Sequence, residues 1–507
     1  FLATYPELLQ GRLAGPVSVG VLLIAAVAPW SLRSESSELQ LIARGRVLPA
    51  VLAVLQRATD LDGDGASAWF GGRDCAPFDR SRNPGAQEIP GNHIDEDCDG
   101  KDEGTSATRQ LAPTYSFWKA ARNPPNVIWY VVDSLRFDHL KTYGYPFETA
   151  PALSEFAAES LVFESAFSQS STTALSIPSM LSGRNPEQML FDAGGFPRAR
   201  PGQFYVQSVF GRNGFLTGLI INDWTRQNLP GIQHEFQRVL SAPPEHNWRS
   251  ADHAVLQLID FITVAKSERR PFFAVLHVDD VHHPYLSAQG KAVQSFPAPG
   301  EVGRYDSGIA VFDQSFRIAI EYLKRSGLWD DTVIIVTADH GEEFGEHGGT
   351  VHSRTCYSEV THVPLVMRVP RVSARRIKST VALIDIVPTL LELLDRREEG
   401  GALEGQSLLI PALEPSELGS SRPVFCTIFQ IADPQRPFFT RAVRKSQWSL
   451  FEESRSGALE LYDVKSDPGE RINLAMEVGL QPILRELRAS LARPRSGNLY
   501  QITQAAR

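Results

Sequence analysis

What this 507-residue chain lacks narrows its reading before any motif is considered. It has no basic excess: 50 Lys and Arg stand against 59 Asp and Glu, for a net charge of −9. A nucleic-acid binder carries a basic stripe, so no nucleic-acid partner is expected. It has no GxSxG, so the strained elbow that presents the serine of a Ser-His-Asp hydrolase is missing. It has only four cysteines, Cys75, Cys98, Cys356 and Cys426. The first two lie in an acidic, loop-rich stretch that suits a disulfide staple and an oxidising compartment, whereas the other two are compatible with simple burial. The chain does not begin with Met, which suits a fragment or a processed product. Residues 13–32 contain no charged side chain, and twenty such positions at helical rise match a bilayer core. A signal peptide is disfavoured by Pro29 directly after AVA at 26–28 and by a poor basic n-region; a buried helix is the other reading. The expectation is a transmembrane helix within a membrane segment 1–33, the last of several, followed by a helical linker 34–58. Arg12 and Arg33 flank it evenly, so its orientation is not given.

What is present begins with carboxylates. Asp60, Asp62 and Asp64 alternate and run into Gly65; Asp95, Asp97 and Asp99 alternate and run into Gly100. Alternating hard oxygen ligands before a sharp glycine turn form the first half of a calcium loop, with Asp74 available to close the first one. Neither copy has a Glu at position twelve, so neither is a complete EF-hand, and an acidic linker is the competing reading. With a cysteine beside each, the segment resembles the DxDGDG…GGxDC…PGAxE…DxDCDG modules of exported bacterial proteins. That resemblance implies a stabilising calcium knot over 59–104, not chemistry.

From Asn126 the pattern changes. NVIWYVVDS, FFAVLHVDD at 272–280 and TVIIVTADH at 332–340 are continuous apolar runs ending in carboxylates, with helical stretches at 150–161, 305–327 and 384–395. Apolar runs without alternation suit strands covered on both faces, and strand–helix alternation argues for an α/β fold with a mostly parallel sheet flanked by helices. Asp133, the 277–282 histidines, Asp339 and His340 all fall at predicted carboxyl ends of strands, the edge where open α/β sheets bind ligands. Asp plus His suits zinc or manganese better than calcium. In TALSIPSM, 173–180, a metal-activated hydroxyl is the economical nucleophile, since Thr and Ser attack poorly unaided.

The ordered motifs NVIWYVVDSLRFDHLKTYGY, TALSIPSMLSGR, DVHHPY, TADHGEEFGEHG and ELYDVKSDPGERINL resemble the sulfatase family of the alkaline-phosphatase superfamily. The resemblance runs from about Asn126 to the C-terminus. It implies an alkaline-phosphatase-like catalytic domain, 124–410, and a small C-terminal α+β subdomain, 411–507. Sulfatases proper carry CxPSR or SxPSR; here the first position falls on Thr173, the arginine position on Ile177, and the second Asp of the family is Ser134. TALSIPSM instead resembles the TAxSxPCM segment of lipid A phosphoethanolamine transferases, with Ser179 in place of a cysteine. That likeness implies Thr173 as nucleophile and metal ligand, Asp133, Asp339 and His340 as the other ligands, and His282 and His352 as anion-binding and proton-donating residues. Ser176 and Ser179 are expected to support the helix start, and His347 has no assigned part.

The leading expectation is therefore a membrane-anchored metalloenzyme that transfers or cleaves a phosphate ester on a phospholipid or glycolipid. Its catalytic domain would lie in the periplasm, or outside the cell, of a bacterium. The alternatives are a sulfuric ester hydrolase on the same scaffold and a non-catalytic calcium-dependent surface module.

Overall fold

Asn126–Val132, NVIWYVV, is a strand (β1) buried along its length apart from Asn126, as a run apolar on both faces requires when both faces are covered. The computed structural model describes residues 54–69, 74–84, 86, 94–96, 98 and 124–492, the last without 192–198, 201–202, 242–249, 286–295, 299, 401–402, 410–421, 431–437 and 455. The chain divides into two compact units, 1–112 and 113–507.

In the larger unit, β1 is followed by helix α1 (Pro151–Ala158), strand β2 (Leu161–Phe167) and helix α2 (Thr173–Ser182). Strands β3 (Leu216–Ile221) and β4 (Arg238–Ser241) come next, then helix α3 (Ser250–Ser267), strand β5 (Phe272–Val278), helix α4 (Gly300–Arg325) and strand β6 (Thr332–Thr337). A short hairpin, β7 (Glu343–Phe344) and β8 (Thr350–Val351), precedes β9 (His362–Arg368), β10 (Arg375–Ala382) and helix α5 (Ile386–Leu393). The main sheet has the order β10-β2-β9-β6-β1-β5-β3-β4. Its pairs are parallel except those of β9, which runs antiparallel to both β2 and β6. This is the alkaline-phosphatase-like arrangement, a mostly parallel sheet with helices on its faces. α4 is amphipathic, and its buried stripe sets Phe312 and Phe316 edge-on to Tyr130 of β1 at 5.5 and 5.8 Å between ring centres.

A second sheet, β11 (Val424–Gln430), β12 (Phe438–Lys445), β13 (Trp448–Glu453) and β14 (Leu459–Asp463), is antiparallel in sequence order. Helix α6 (Gln481–Leu491) packs Leu484, Leu487 and Leu491 onto Val443, Leu450 and Leu461 of that sheet. Cys356 and Cys426 pair, tying the segment before β9 to β11 across 70 residues of sequence. Closing a loop of that length restricts the unfolded chain enough to contribute roughly 4 kcal/mol in the chain-entropy picture.

In the smaller unit Cys75 and Cys98 form the expected disulfide. Among the described residues no helix is long and apolar enough to cross a membrane; the 13–32 stretch lies outside them.

Candidate active site

β5, β1 and β6 are adjacent, and Val131 of β1 is in register with His277 on one side and Thr337 on the other. The carboxyl ends of these three strands therefore bring Asp133, His277, Asp339 and His340 to one rim. All four are buried, at 5%, 2%, 0% and 0% exposure. Donor atoms of Asp133, Asp339 and His340 lie within 4.8 Å of one another. His340 Nε2 is 3.6 Å from Asp133 Oδ1 and 3.5 Å from Asp339 Oδ2. Its Nδ1 sits 3.0 Å from the Gly341 carbonyl, so Nδ1 carries the proton and Nε2 offers its lone pair to the cluster. Gly341 is required here: a Cβ at this position would come within 2.1 Å of the Glu359 carbonyl.

Asp339 is held from several sides. Its Oδ1 accepts from the backbone N–H of His340 at 3.0 Å and of Ser134 at 3.4 Å, while its Oδ2 is buried without a hydrogen-bond partner. Ser134 donates its hydroxyl to Asp133 Oδ1 at 2.9 Å. Burial alone would raise the Asp339 carboxyl, but His340, His277 and Thr173 overcome it and hold it well below the ordinary range. Burial drives His340 down, toward the neutral ring that a metal needs. Burial also opposes charge on His277, yet the Asp339 and Asp133 carboxylates draw it up to about 9.

Thr173 is the first residue of α2, and its Oγ1 lies 3.2 Å from His340 Nε2. The preceding loop is pinned to the rim, since Ser168 Oγ donates to the Asp339 carbonyl and Ser353 N donates to the Ser171 carbonyl at 2.8 Å. The helix cap, Thr172, makes no side-chain capping bond, and the Thr173 hydroxyl faces His340. α2 stops at Gly183, whose φ of +68° and close neighbours Leu403 and Val387 admit no side chain without movement. The expected support from Ser176 and Ser179 is corrected: Ser176 Oγ has no partner, and Ser179 Oγ faces the Met189 sulfur at 4.0 Å. Both hydroxyls lie past the first unpaired N–H groups and turn into the core.

The remaining histidines divide. His352 lies tilted against His340 at 4.3 Å and edge-on to His282 at 4.9 Å between ring centres, so both expected anion-binding residues come close to His340. His352 Nδ1 lies 2.9 Å from Glu342 Oε1, and Tyr285 donates its hydroxyl to Glu342 Oε2 at 3.0 Å. Burial disfavours charge on His352, but the fully buried Glu342 raises it above the usual histidine range. Glu342 and Tyr285 were not singled out by sequence, whereas His277 was placed at a strand's carboxyl end without an assigned role.

His347 turns away from this rim. Its Nδ1 is 2.5 Å from Glu359 Oε1 and its Nε2 is 3.0 Å from the Glu470 carbonyl, with the ring stacked on Tyr357 at 3.7 Å. It joins the loop that carries His352 to the C-terminal subdomain. Burial pulls its pKa down, but Glu359 and Glu470 raise it from 6.5 to about 9. The folded value exceeds the unfolded one, so this stabilisation is complete below pH 6.5 and is lost as pH rises through about 9. The melting-temperature gap between wild type and His347→Gln is expected to be widest at pH 6 and to close by pH 10; a gap independent of pH would contradict this.

In the smaller unit Asp60, Asp62 and Asp64 group as candidate cation ligands. Asp60 accepts from Gly63 N at 2.7 Å and Gly65 N at 3.0 Å, wrapping the loop around the carboxylates. Asp74 is 6% exposed, and one oxygen of each of Asp62, Asp64 and Asp74 is buried without a hydrogen-bond partner. Burial raises the Asp62 carboxyl, and its neighbours Asp64, Asp74 and Asp60 add to this. Asp95 falls outside the grouping, and Asp97 and Asp99 lie outside the described residues.

The family model described as Sulfatase matches residues 125–396, more than half of the chain. The chain belongs to the sulfatase family. A second model, N-sulphoglucosamine sulphohydrolase, C-terminal, matches residues 345–497 of this sulfatase. Arylsulfatase A of Bos taurus is 25% identical over 437 residues, spanning 70% of this chain and 84% of the relative. The solved structure of a 2-O GAG sulfatase superposes with a TM-score of 0.59 at 18% identity, covering 73% of this chain and 91% of that one. A phosphonate monoester hydrolase of Agrobacterium radiobacter superposes with a TM-score of 0.57 at 18% identity, covering 73% and 95%. Family membership makes this sulfatase a metal-dependent hydrolase. Of the expectations from sequence, the relatives fit the sulfuric ester hydrolase alternative better than the leading one, and the phosphoethanolamine-transfer reading drawn from TALSIPSM is not supported by them.

Proposed function

We propose that this sulfatase hydrolyses sulfate monoesters, with Thr173 as the nucleophile. The observation that carries the reading is the Thr173 hydroxyl at the start of α2, 3.2 Å from a histidine that itself joins two buried carboxylates. The donor set fits a divalent cation, because Asp339 Oδ2 is buried without a hydrogen-bond partner among groups spaced as ligands. Asp133, Asp339, His340 and Thr173 would hold it, and their mixed oxygen and nitrogen donors suit zinc or manganese. When bound, such an ion lowers the proton affinity of the hydroxyl and neutralises an ester anion.

Thr173 Oγ1 releases its proton to solvent and forms a bond to sulfur as the bond from sulfur to the ester oxygen breaks. The alcohol departs with a proton from Nε2 of His352, which Glu342 orients through Nδ1. Water then cleaves the threonine sulfate, restoring the hydroxyl. His282, 4.9 Å from His352 between ring centres, would bind the anionic oxygens. A phosphate or phosphonate monoester is the second reading. It is favoured by Thr173 in the first position of the CxPSR motif and by Ile177 in its arginine position.

The first loop of the smaller unit we assign to calcium, held by Asp60, Asp62, Asp64 and Asp74. Two disulfides support an exported location. The uncharged 13–32 stretch supports a bacterial membrane anchor and an ester borne on a lipid or glycan.

The test is turnover of aryl sulfate, phosphate and phosphonate esters by the full chain, before and after chelation. Sulfate turnover that chelation abolishes and zinc or manganese restores is expected. Turnover of phosphorus esters alone would establish the second reading, and turnover unaffected by chelation would contradict the cation site.

A further inference from the structure

His277 lies outside the ligand set assigned above, and its surroundings do not suit an ordinary core residue. It interrupts a β5 run in which every side chain is buried. It is 2% exposed, and neither ring nitrogen makes a hydrogen bond. A buried imidazole without a hydrogen-bond partner is costly, and native structures rarely leave one so. What it faces is the carboxylate pair: Nε2 is 3.5 Å from Asp133 Oδ2 and 3.6 Å from Asp339 Oδ2.

Those separations are too long for a direct N–H to carboxylate bond, which falls near 2.7–2.9 Å. They do match the spacing of two ligands around a small cation. Ligand bonds of about 2.0–2.1 Å at tetrahedral angles put neighbouring donor atoms about 3.3–3.4 Å apart. His340, on the same two carboxylates, shows 3.6 and 3.5 Å. His277 and His340, reaching in from the strands on either side of β1, therefore stand at nearly the same distance from Asp339 Oδ2, while on Asp133 His277 faces Oδ2 and His340 faces Oδ1. Asp339 Oδ2, the oxygen both rings approach, is the one without a hydrogen-bond partner.

We propose that His277 is a further protein ligand of the cation held by Asp133 and Asp339. The inference rests on the cation site of the proposed function and adds a donor to it. A second imidazole makes the set softer, which favours zinc over magnesium or calcium. It also gives β5 a fixed place at the rim, since the strand is then tied to β1 and β6 through the ion as well as through the sheet.

The experiment compares wild type, His277→Ala and His277→Cys in the full chain, with circular dichroism confirming that each is folded. Zinc affinity is measured by chelator competition, and each protein is loaded with cadmium for absorption spectroscopy. The expected result is a loss of at least about tenfold in zinc affinity for His277→Ala, since even partners that only orient a ligand are worth that much. Affinity should be recovered in part in His277→Cys, with a new near-ultraviolet thiolate-to-cadmium band that wild type lacks. A folded His277→Ala that binds zinc as tightly as wild type, together with a cadmium-loaded Cys variant lacking the band, would overturn the inference and leave the Asp133, Asp339 and His340 site standing. A wild type that binds neither metal would overturn both.

Discussion

Thr173→Ala is expected to lower kcat on the preferred ester by about a thousandfold or more, the scale seen when an attacking group is removed. The hydroxyl meets His340 Nε2 at 3.2 Å, and Ala174 behind it has no polar side chain to replace it. The substitution leaves the fold alone for a local reason. The cap is Thr172, the Thr173 side chain makes no capping bond, and alanine is a good helix former. The melting temperature should therefore stay near that of wild type, so the loss reads as chemistry. Thr173→Ser keeps the oxygen and should recover part of the rate. If the alanine variant retains a tenth of wild-type turnover, Thr173 is not the nucleophile and a water must attack directly.

Asp339→Asn should cost several kcal/mol of transition-state stabilisation, about a thousandfold in kcat/KM, and weaken cation binding with it. Asp339 contacts every part of the rim: its carboxylate bonds the His340 and Ser134 amides and faces both His277 and His340. The amide keeps an oxygen for those N–H groups but lacks the charge. The depressed carboxyl pKa means the ionised form is favoured in the fold, so this contribution is present above the ordinary value of 3.8 and is lost only as pH falls below it. The difference in melting temperature between wild type and Asp339→Asn should therefore be steady at neutral pH and shrink in acid. Equal cation affinity in the two proteins at pH 7 would remove Asp339 from the ligand set.

Much of this was legible in residues alone. β1, β5 and β6 announce themselves because strands covered on both faces have no polar alternation to confuse them, and each ends in a carboxylate. Asp133, Asp339 and His340 followed from strand ends, and Thr173, His282 and His352 from motif order. β9 was not legible as an antiparallel strand: HVPLVMR has the same apolar character as its parallel neighbours, and direction depends on where the chain re-enters the sheet. Glu342 and Glu343 are adjacent and chemically alike. Only the backbone path turns Glu342 toward His352 and Tyr285, while Glu343 accepts from the His347 and Gly349 amides.

The sequence by itself determined the α/β class, the family motifs and the chemical types gathered at the rim, because local periodicity and residue chemistry are written in neighbouring positions. The tertiary structure alone decided which donors meet. It paired Cys356 with Cys426, sent His347 to Glu359 and Glu470 instead of the rim, and set His277 against two carboxylates on other strands. The physical reason is common to all three. Apart from His347 with Glu359, twelve positions on, each contact joins residues far apart in the chain, and their meeting depends on sheet order and loop path, which no short stretch of residues encodes.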